Sequence, residues 1–289
     1  MSTDEADNVL RALTDDGGFR VITLETTSTV RGAIESQGVE GGLCRTFADL
    51  LTGTVLVRES MSPDLRVQAF LQSDDGRSRL VADSLPDGST RGLVQLAKDA
   101  KPTVEMPIGN GGILQVARTL HNGALHQGVI AVPHGGNISA AFMTYMQESE
   151  QAVTMISVGS HMAGGEIVAA GGYLVQLLPD LKEDLLAIMT ERLKDFEHIE
   201  PLLAQGKASA EYLLAETLYG LPYARVAERQ VRFGCTCSQA RLAASLATLP
   251  RSDIESMLAD GKMLDIECDF CRKKYEFSPE QLRGLLTPN

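Results

Sequence analysis

The amino-acid sequence predicts an α+β fold that ends in a small cysteine-rich domain. Short segments with alternating apolar residues, typical of strands, occur in pairs separated by turn residues. Helical segments are interspersed among them rather than repeated in strand–helix–strand order, which favours α+β over α/β. Four cysteines form two close pairs near the C-terminus. With 289 residues, 44% of them apolar, the chain is long enough for a sizeable core and two domains.

Residues 1–178 are predicted to form the main domain, an antiparallel or mixed sheet with helices. Five of its segments alternate as strands do: 20–27, 65–71, 79–82, 113–119 and 128–132. Two segments have helical patterns: 46–56 and 143–151. Two short apolar runs bracketed or preceded by glycine pairs close the domain: 167–170 and 173–178.

Residues 179–231 are predicted to form a helical connector. Its first helix begins after Pro179 and has apolar residues at helical spacing on one face: Leu181, Leu185, Ile188, Met189 and Leu193. Ser209 is the predicted N-cap of a second helix over residues 210–218. These apolar faces must pack against something. The pattern leaves open a plain connector or a segment whose order depends on its neighbours.

Residues 232–289 are predicted to form the cysteine-rich domain. A helix is expected over 238–249, and the spacing of Ser252 and Glu255 indicates a capping box for a short helix that ends near Gly261. A strand is expected at 263–267, and Tyr275 and Phe277 are predicted to share a strand face. Ser278, Pro279 and Gln281 have the spacing of a helix cap. So few large apolar residues give a thin core that a metal ion would stabilise.

Charge and targeting signals narrow the class of protein. The formal net charge is −12, which repels a phosphate backbone and argues against broad nucleic-acid binding. The N-terminus has no basic and apolar signal-peptide regions, and no apolar run reaches the length of a membrane span. We therefore expect a cytoplasmic protein that binds neither membrane nor nucleic acid. Cytosolic thiols stay reduced, which favours a metal over stable disulfides.

The two cysteine pairs are the candidate metal site. Cys235-Thr-Cys237 and Cys268-Asp-Phe-Cys271 are separated by thirty residues, and four thiolates in two such pairs are typical of a tetrahedral Zn²⁺ site. An iron–sulfur cluster is the rival ligand. All five histidines lie upstream, at positions 121, 126, 134, 161 and 198. Such a site is either purely structural or a thiol switch, because zinc-bound thiolates are also the nucleophiles that oxidants attack.

The cysteines lie in two longer motifs, Phe233-Gly-Cys-Thr-Cys-Ser238 and Glu267-Cys-Asp-Phe-Cys271 with the following Tyr275-Glu-Phe277. With these motifs the sequence resembles the heat shock protein 33 family of redox-regulated bacterial chaperones. Three segments of the main domain support it: Gly88-Ser-Thr-Arg-Gly92, Gly111-Gly-Ile-Leu114 and Tyr145-Met-Gln-Glu-Ser-Glu-Gln151. The order of main domain, helical connector and zinc-binding end is also similar. The resemblance covers nearly the whole chain, although the glycine-rich stretch 132–142 and Cys44 depart from the family pattern.

The resemblance implies an ATP-independent holdase that protects unfolding proteins from aggregation under oxidative stress. It implies that Cys235, Cys237, Cys268 and Cys271 hold Zn²⁺ in the reduced, inactive state. On oxidation by peroxide with heat, or by hypochlorous acid, the zinc would be expelled and disulfides Cys235–Cys237 and Cys268–Cys271 would form. The cysteine-rich domain and part of the connector would then lose order and expose apolar surface to client proteins. A homodimer is implied for the activated state.

Other residues carry weaker signals. Arg91 is predicted to be a turn or ion-pair residue rather than an anion site, and residues 149–151 a cap or packing segment, because no nucleophile–base pair accompanies them. Cys44 is predicted to be a small buried hydrophobic residue. We therefore expect no catalytic residue and no enzyme, since four cysteines would leave a zinc ion no open position. There are two alternatives. One is a constitutive zinc module that recruits a partner or nucleic acid, and the other is an enzyme, either a thiol oxidoreductase or a zinc hydrolase.

Overall fold

A computed structural model describes residues 6–62, 64–101, 103–120, 122–179, 183–259 and 261–286. The chain forms two units, Met1–Gly234 and Cys235–Asn289. The predicted boundaries lie after residues 178 and 231, so the predicted connector falls within the first unit.

The first unit is built on a ten-stranded mixed sheet. Its strands in chain order are β1 (Asp7–Thr14), β2 (Phe19–Glu25), β3 (Arg66–Gln72), β4 (Arg79–Ser84), β5 (Ser89–Gln95), β6 (Ile113–Thr119), β7 (Leu125–Ala131), β8 (Thr154–Ala163), β9 (Glu166–Leu177) and β10 (Tyr223–Phe233). Their order in the sheet is β7-β6-β3-β4-β5-β10-β1-β2-β9-β8. Neighbouring strands are antiparallel except β5 and β10, which are parallel. The predicted α+β class with a mixed sheet is confirmed.

Helices cover both faces of this sheet. Their ranges are α1 (Thr27–Gln37), α2 (Leu43–Ser60), α3 (Ile138–Glu148), α4 (Glu183–Asp195), α5 (Glu200–Ala204) and α6 (Ala210–Thr217). Helices α1, α2 and α3 pack on one face and enclose the main hydrophobic cluster. Helix α2 is buried along most of its length, and its Gly53 lies so close to the Phe142 ring that a Cβ there would be 2.2 Å from a ring carbon. A larger residue at position 53 would therefore prevent α2 from packing this closely against α3.

The predicted connector packs on the opposite face of β1, β2 and β9. Met189 and Leu193 of α4 and Leu214 of α6 are buried there in a second hydrophobic cluster. Ser209 caps α6 as predicted, because its side chain accepts a hydrogen bond from the Tyr212 amide. Ile188, predicted on the buried face of α4, is instead exposed. Leu181 lies outside the described residues.

Three sequence predictions for the first unit need correction. Residues 223–231 are not helical but belong to β10, an inner strand of the sheet. The runs 167–170 and 173–178 are largely one continuous strand, β9. Helix α3 begins at Ile138, inside the glycine-rich stretch and five residues before the predicted start at Met143. The Asn137 side chain caps the helix there, because it accepts a hydrogen bond from the Ala140 amide.

The second unit is small and has a correspondingly small core. Its elements are α7 (Gln239–Leu246), α8 (Arg251–Ala259), β11 (Leu264–Glu267), β12 (Lys274–Phe277) and α9 (Pro279–Leu285). Among the described residues of this unit, three side chains form its buried hydrophobic cluster: Leu246, Phe277 and Leu282. The predicted capping box at Ser278 is confirmed. The one predicted at Ser252 is wrong, because α8 begins at Arg251, directly after Pro250, and Ser252 lies inside it.

Candidate metal centre

The first cysteine pair lies in the short segment 234–238, which joins β10 to α7. Ser238, directly after Cys237, has extended backbone dihedral angles and accepts a hydrogen bond from the Arg241 amide, so it caps α7, which begins at Gln239. Cys235 and Cys237 are only two residues apart in this segment, and their sulfur atoms lie within 4.8 Å of each other.

The second pair lies in the turn that joins β11 to β12. The Cys268 amide donates to the Lys273 carbonyl at 2.9 Å, and the Arg272 amide donates to the Cys268 carbonyl at 2.8 Å. Arg272 has a φ of 58°, and this left-handed conformation lets the chain reverse direction in a tight turn. The antiparallel pairing of Glu267 with Lys274 fixes the ends of the turn. Backbone hydrogen bonds thus hold Cys268 and Cys271 close to each other.

Folding brings the two pairs together. The four sulfur atoms lie within 4.8 Å of one another. The Cys235 and Cys268 sulfurs are 3.7 Å apart, and those of Cys237 and Cys271 are 3.3 Å apart. A tetrahedral ion with Zn–S bonds of about 2.3 Å requires sulfur atoms roughly 3.8 Å apart, so the arrangement fits a four-thiolate metal site. None of these four cysteines is joined to another in a disulfide.

Electrostatics also favour a cation in this cluster. Burial raises the pKa of Cys268 and of Cys271 above the ordinary thiol value, so that without a cation these groups stay protonated. For Cys237 burial also acts to raise the pKa, but hydrogen bonds from Tyr275 and the neighbouring thiols outweigh it and lower the pKa to about 7. A bound dication would stabilise all four thiolates. Among the described residues, the metal-binding group contains no histidine.

Tyr275 is a site residue that the sequence interpretation did not assign. Its hydroxyl lies 3.1 Å from the Cys237 sulfur, and this hydrogen bond raises the pKa of the phenol to about 12. It therefore stays a neutral donor to the Cys237 thiolate. The signal was present: Tyr275 follows Cys271 by four residues on β12, whose start at Lys274 is fixed by the same turn.

Comparison of the sequence with models of protein families identifies the family of this chain. The sequence model of the family described as Hsp33 protein matches residues 7–278. The chain belongs to the Hsp33 family. The sequence resemblance is therefore confirmed, over nearly the whole chain.

Individual relatives of this Hsp33 chain agree with the assignment. A protein named 33 kDa chaperonin from Syntrophotalea carbinolica is 29% identical over 287 residues, covering 97% of this chain and 99% of the relative. One of the same name from Listeria welshimeri is 27% identical, covering 97% and 98%. The crystal structure of the 33 kDa chaperonin from Thermotoga maritima has the same fold, with a TM-score of 0.80 at 20% identity and 98% coverage of both chains.

Family membership supports a chaperone function and agrees with the expectation of a non-enzyme. The other residues considered in the sequence analysis make contacts within the first unit. Arg91 pairs with Asp83 at 2.9 Å, and Glu150 accepts from the Tyr145 hydroxyl at 2.6 Å. Cys44 is buried, as predicted. In the part of this Hsp33 chain that the structure describes, no helix has both the length and the apolar character needed to cross a bilayer.

Proposed function

We propose that this Hsp33 chain is a redox-regulated, ATP-independent holdase, switched by its four clustered cysteines. The proposal rests on four thiols within 4.8 Å of one another, in a unit whose described residues include a hydrophobic cluster with three buried side chains. In the reduced state the thiolates of Cys235, Cys237, Cys268 and Cys271 hold Zn²⁺. When bound, the ion supplies positive charge and four bonds that substitute for a larger core.

Oxidation is the proposed trigger. Cys235 and Cys237 form one disulfide, and Cys268 and Cys271 form the other. With hydrogen peroxide as oxidant, each pair of thiolates loses two electrons, and two protons and one peroxide become two waters. Cysteines joined in this way no longer offer four thiolates, so the zinc is released. The low pKa of Cys237, about 7 without metal, supports its role as an attacking thiolate.

Loss of the metal is expected to unfold the second unit. Structural zinc contributes on the order of 10–16 kcal/mol to the folding of small thiolate domains. A whole domain has only about 5–15 kcal/mol of net stability. A cluster of Leu246, Phe277 and Leu282 supplies only a small part of that amount. The fold of the second unit therefore depends on the bound metal. An oxidant that attacks the sulfur ligands would remove that support.

Unfolded or partly unfolded proteins are the proposed clients. Chaperone function follows the family, and the holdase mechanism needs apolar surface that becomes accessible only after activation. The connector supports this, because Met189, Leu193 and Leu214 are buried against the sheet and would be exposed if its helices undocked. We further propose that the active form is a homodimer in the cytoplasm. A net charge of −12 speaks against nucleic acid as a partner.

The test measures zinc content and chaperone activity on the same samples. Reduced protein should contain one zinc ion per chain and should not prevent aggregation of a chemically unfolded client enzyme. After peroxide and mild heat, zinc should be lost and aggregation suppressed, without ATP. Cys235→Ser should bind zinc at least tenfold more weakly and be partly active without oxidant.

Cys44→Ser is the matched control, because Cys44 is buried far from the cluster in sequence and in the other unit. It should keep its zinc and remain inactive until oxidised. Zinc release without any gain in suppression of aggregation would leave a purely structural zinc site and reject the switch. A zinc-replete, inactive Cys235→Ser variant would reject the ligand assignment itself.

A further inference from the structure

The chain leaves the first unit at a narrow joint in the sheet. Strand β10 lies between β1 and β5, and the first cysteine follows its end by two residues. It pairs with β1 along eight residues but with β5 only at Arg232, opposite Ser89, and Phe233, opposite Thr90. The two halves of the ten-stranded sheet therefore meet through two residue pairs, directly before Cys235.

Backbone hydrogen bonds hold this joint to the turn that precedes β5. The Arg232 amide donates to the Gly88 carbonyl at 3.2 Å, and the Gly234 amide donates to the Thr90 carbonyl at 3.1 Å. The Arg232 guanidinium lies 3.6 Å from the Asp87 carboxylate. Gly88 and Thr90 belong to the Gly88-Ser-Thr-Arg-Gly92 motif, which has no part in the proposed metal site or client binding.

The turn is itself anchored in the core. The Thr90 and Ser84 hydroxyls are hydrogen-bonded to each other at 3.0 Å. The Ser84 hydroxyl also accepts a hydrogen bond from Arg58 Nε at 2.9 Å. Arg58 is fully buried on α2 and forms an ion pair with Glu59. Moving the turn would leave buried polar groups without partners, which is costly. The turn is therefore a fixed point against which the end of β10 is held.

Two glycines make room for the joint. A Cβ on Gly32 of α1 would lie 2.7 Å from the Cβ of Phe233, so the Phe233 side chain sits where only glycine leaves space. A Cβ on Gly88, whose φ is +82°, would lie 2.3 Å from the Gln230 carbonyl oxygen. Phe233 is half-buried and packs against the main cluster. Its contact with Gly32 adds a side-chain attachment to the two backbone hydrogen bonds.

We propose that residues 232–234, held by the turn at 87–90 and by Gly32, form a latch that stops loss of order in the second unit from entering the first. The proposal rests on the proposed function, since it assumes that the second unit loses order without metal. Helices α4, α5 and α6 precede β10 in the chain. Disorder that spreads along the chain from Cys235 reaches them only after β10 has left the sheet. The latch thus decides whether the connector stays docked once the metal is gone.

Amide hydrogen exchange of the full-length protein tests the latch. Metal is removed with a chelator under reducing conditions, so the result does not depend on any oxidant. In the unmodified protein, exchange in residues 239–285 should accelerate at least 100-fold, and exchange in residues 223–233 should change less than threefold. In Phe233→Ala, metal removal should accelerate exchange in residues 223–233 at least tenfold. Phe70→Ala, which removes a half-buried ring from β3, is the matched control and should leave 223–233 protected.

A second variant covers the case in which Phe233→Ala does not fold with metal bound. Arg232→Gln alters only the half-exposed contact with Asp87 and should raise exchange in residues 223–233 about threefold after metal removal. Equal acceleration of 223–233 and 239–285 in the unmodified protein would overturn the latch. So would unchanged protection of 223–233 in both variants. Retained protection at 239–285 would instead refute the loss of order on which the proposed function depends, and the latch with it.

Discussion

Replacing Phe277 by alanine should weaken zinc binding although Phe277 is not a proposed ligand. Among the residues that the structure describes, Phe277 is one of three buried in the hydrophobic cluster of the second unit, and it is only 2% exposed. Removing a buried phenylalanine side chain costs about 3–5 kcal/mol. If the metal-free unit is unfolded, folding and binding are one equilibrium, and the whole loss appears in the affinity. At 1.36 kcal/mol per tenfold, the apparent zinc dissociation constant should rise roughly 100- to 5,000-fold.

Competition with a chromophoric zinc chelator, under reducing conditions and at constant pH, measures this change. Met263→Ala is the control, because Met263 belongs to the same unit but is half exposed, and its affinity should stay within twofold. The unmodified protein provides the reference. A Phe277→Ala variant that binds zinc within twofold of the unmodified protein would show that the thiol cluster forms without the core. The link between packing and metal binding would then be wrong.

Three further predictions follow from the same structure. Ser278→Ala removes a capping box and should cost about 1 kcal/mol, or roughly fivefold in zinc affinity, whereas Ser252→Ala should have no effect; equal effects would contradict the assigned caps. Burial holds the pKa of Asp49 at about 7, above its ordinary 3.8, so the folded protein keeps a proton that the unfolded chain releases, and stability falls as the pH rises from about 4 to about 7. Asp49→Asn should therefore stabilise the protein by on the order of 2–4 kcal/mol at pH 8 and by little at pH 4; denaturant unfolding with the same difference at both pH values would contradict this. Cys44 is buried and its burial raises its pKa, so mass spectrometry should find it unalkylated until the first unit unfolds; labelling of the native protein as fast as a free thiol would contradict its burial.

The candidate site was predicted from local sequence because its geometry is largely local. Cys235 and Cys237 are two residues apart in the short segment between β10 and α7, and Cys268 and Cys271 lie in one tight turn. Each pair is therefore brought together by its own neighbours. The role of Tyr275 was missed, because its contact with Cys237 joins positions 38 residues apart. The position of Tyr275, four residues after Cys271, indicates that it lies near the second cysteine pair, but not that its hydroxyl contacts Cys237 of the first pair.

The prediction of β10 failed for a related reason. Residues 223–233 contain arginines and a glutamate and are largely exposed, and their pattern lacks the apolar run expected of an inner strand. Their strand conformation comes from pairing with β1, more than 200 residues away in the chain. Ser252 failed differently. The spacing to Glu255 fits a capping box with Ser252 as N-cap and Asp253 as the first helical residue, but α8 begins two residues earlier, at Arg251, directly after Pro250.

The sequence by itself determined the fold class, most helices and strands, and the two close cysteine pairs, because each depends on periodicity, turn residues or short spacing. Only the tertiary structure decided that two cysteine pairs thirty residues apart meet within 4.8 Å. It also decided that the connector packs on the main sheet and that the strand before Cys235 is an inner strand of it. These are contacts between distant segments, formed because apolar faces and unpaired backbone groups must be covered by whichever element the whole chain can bring to them.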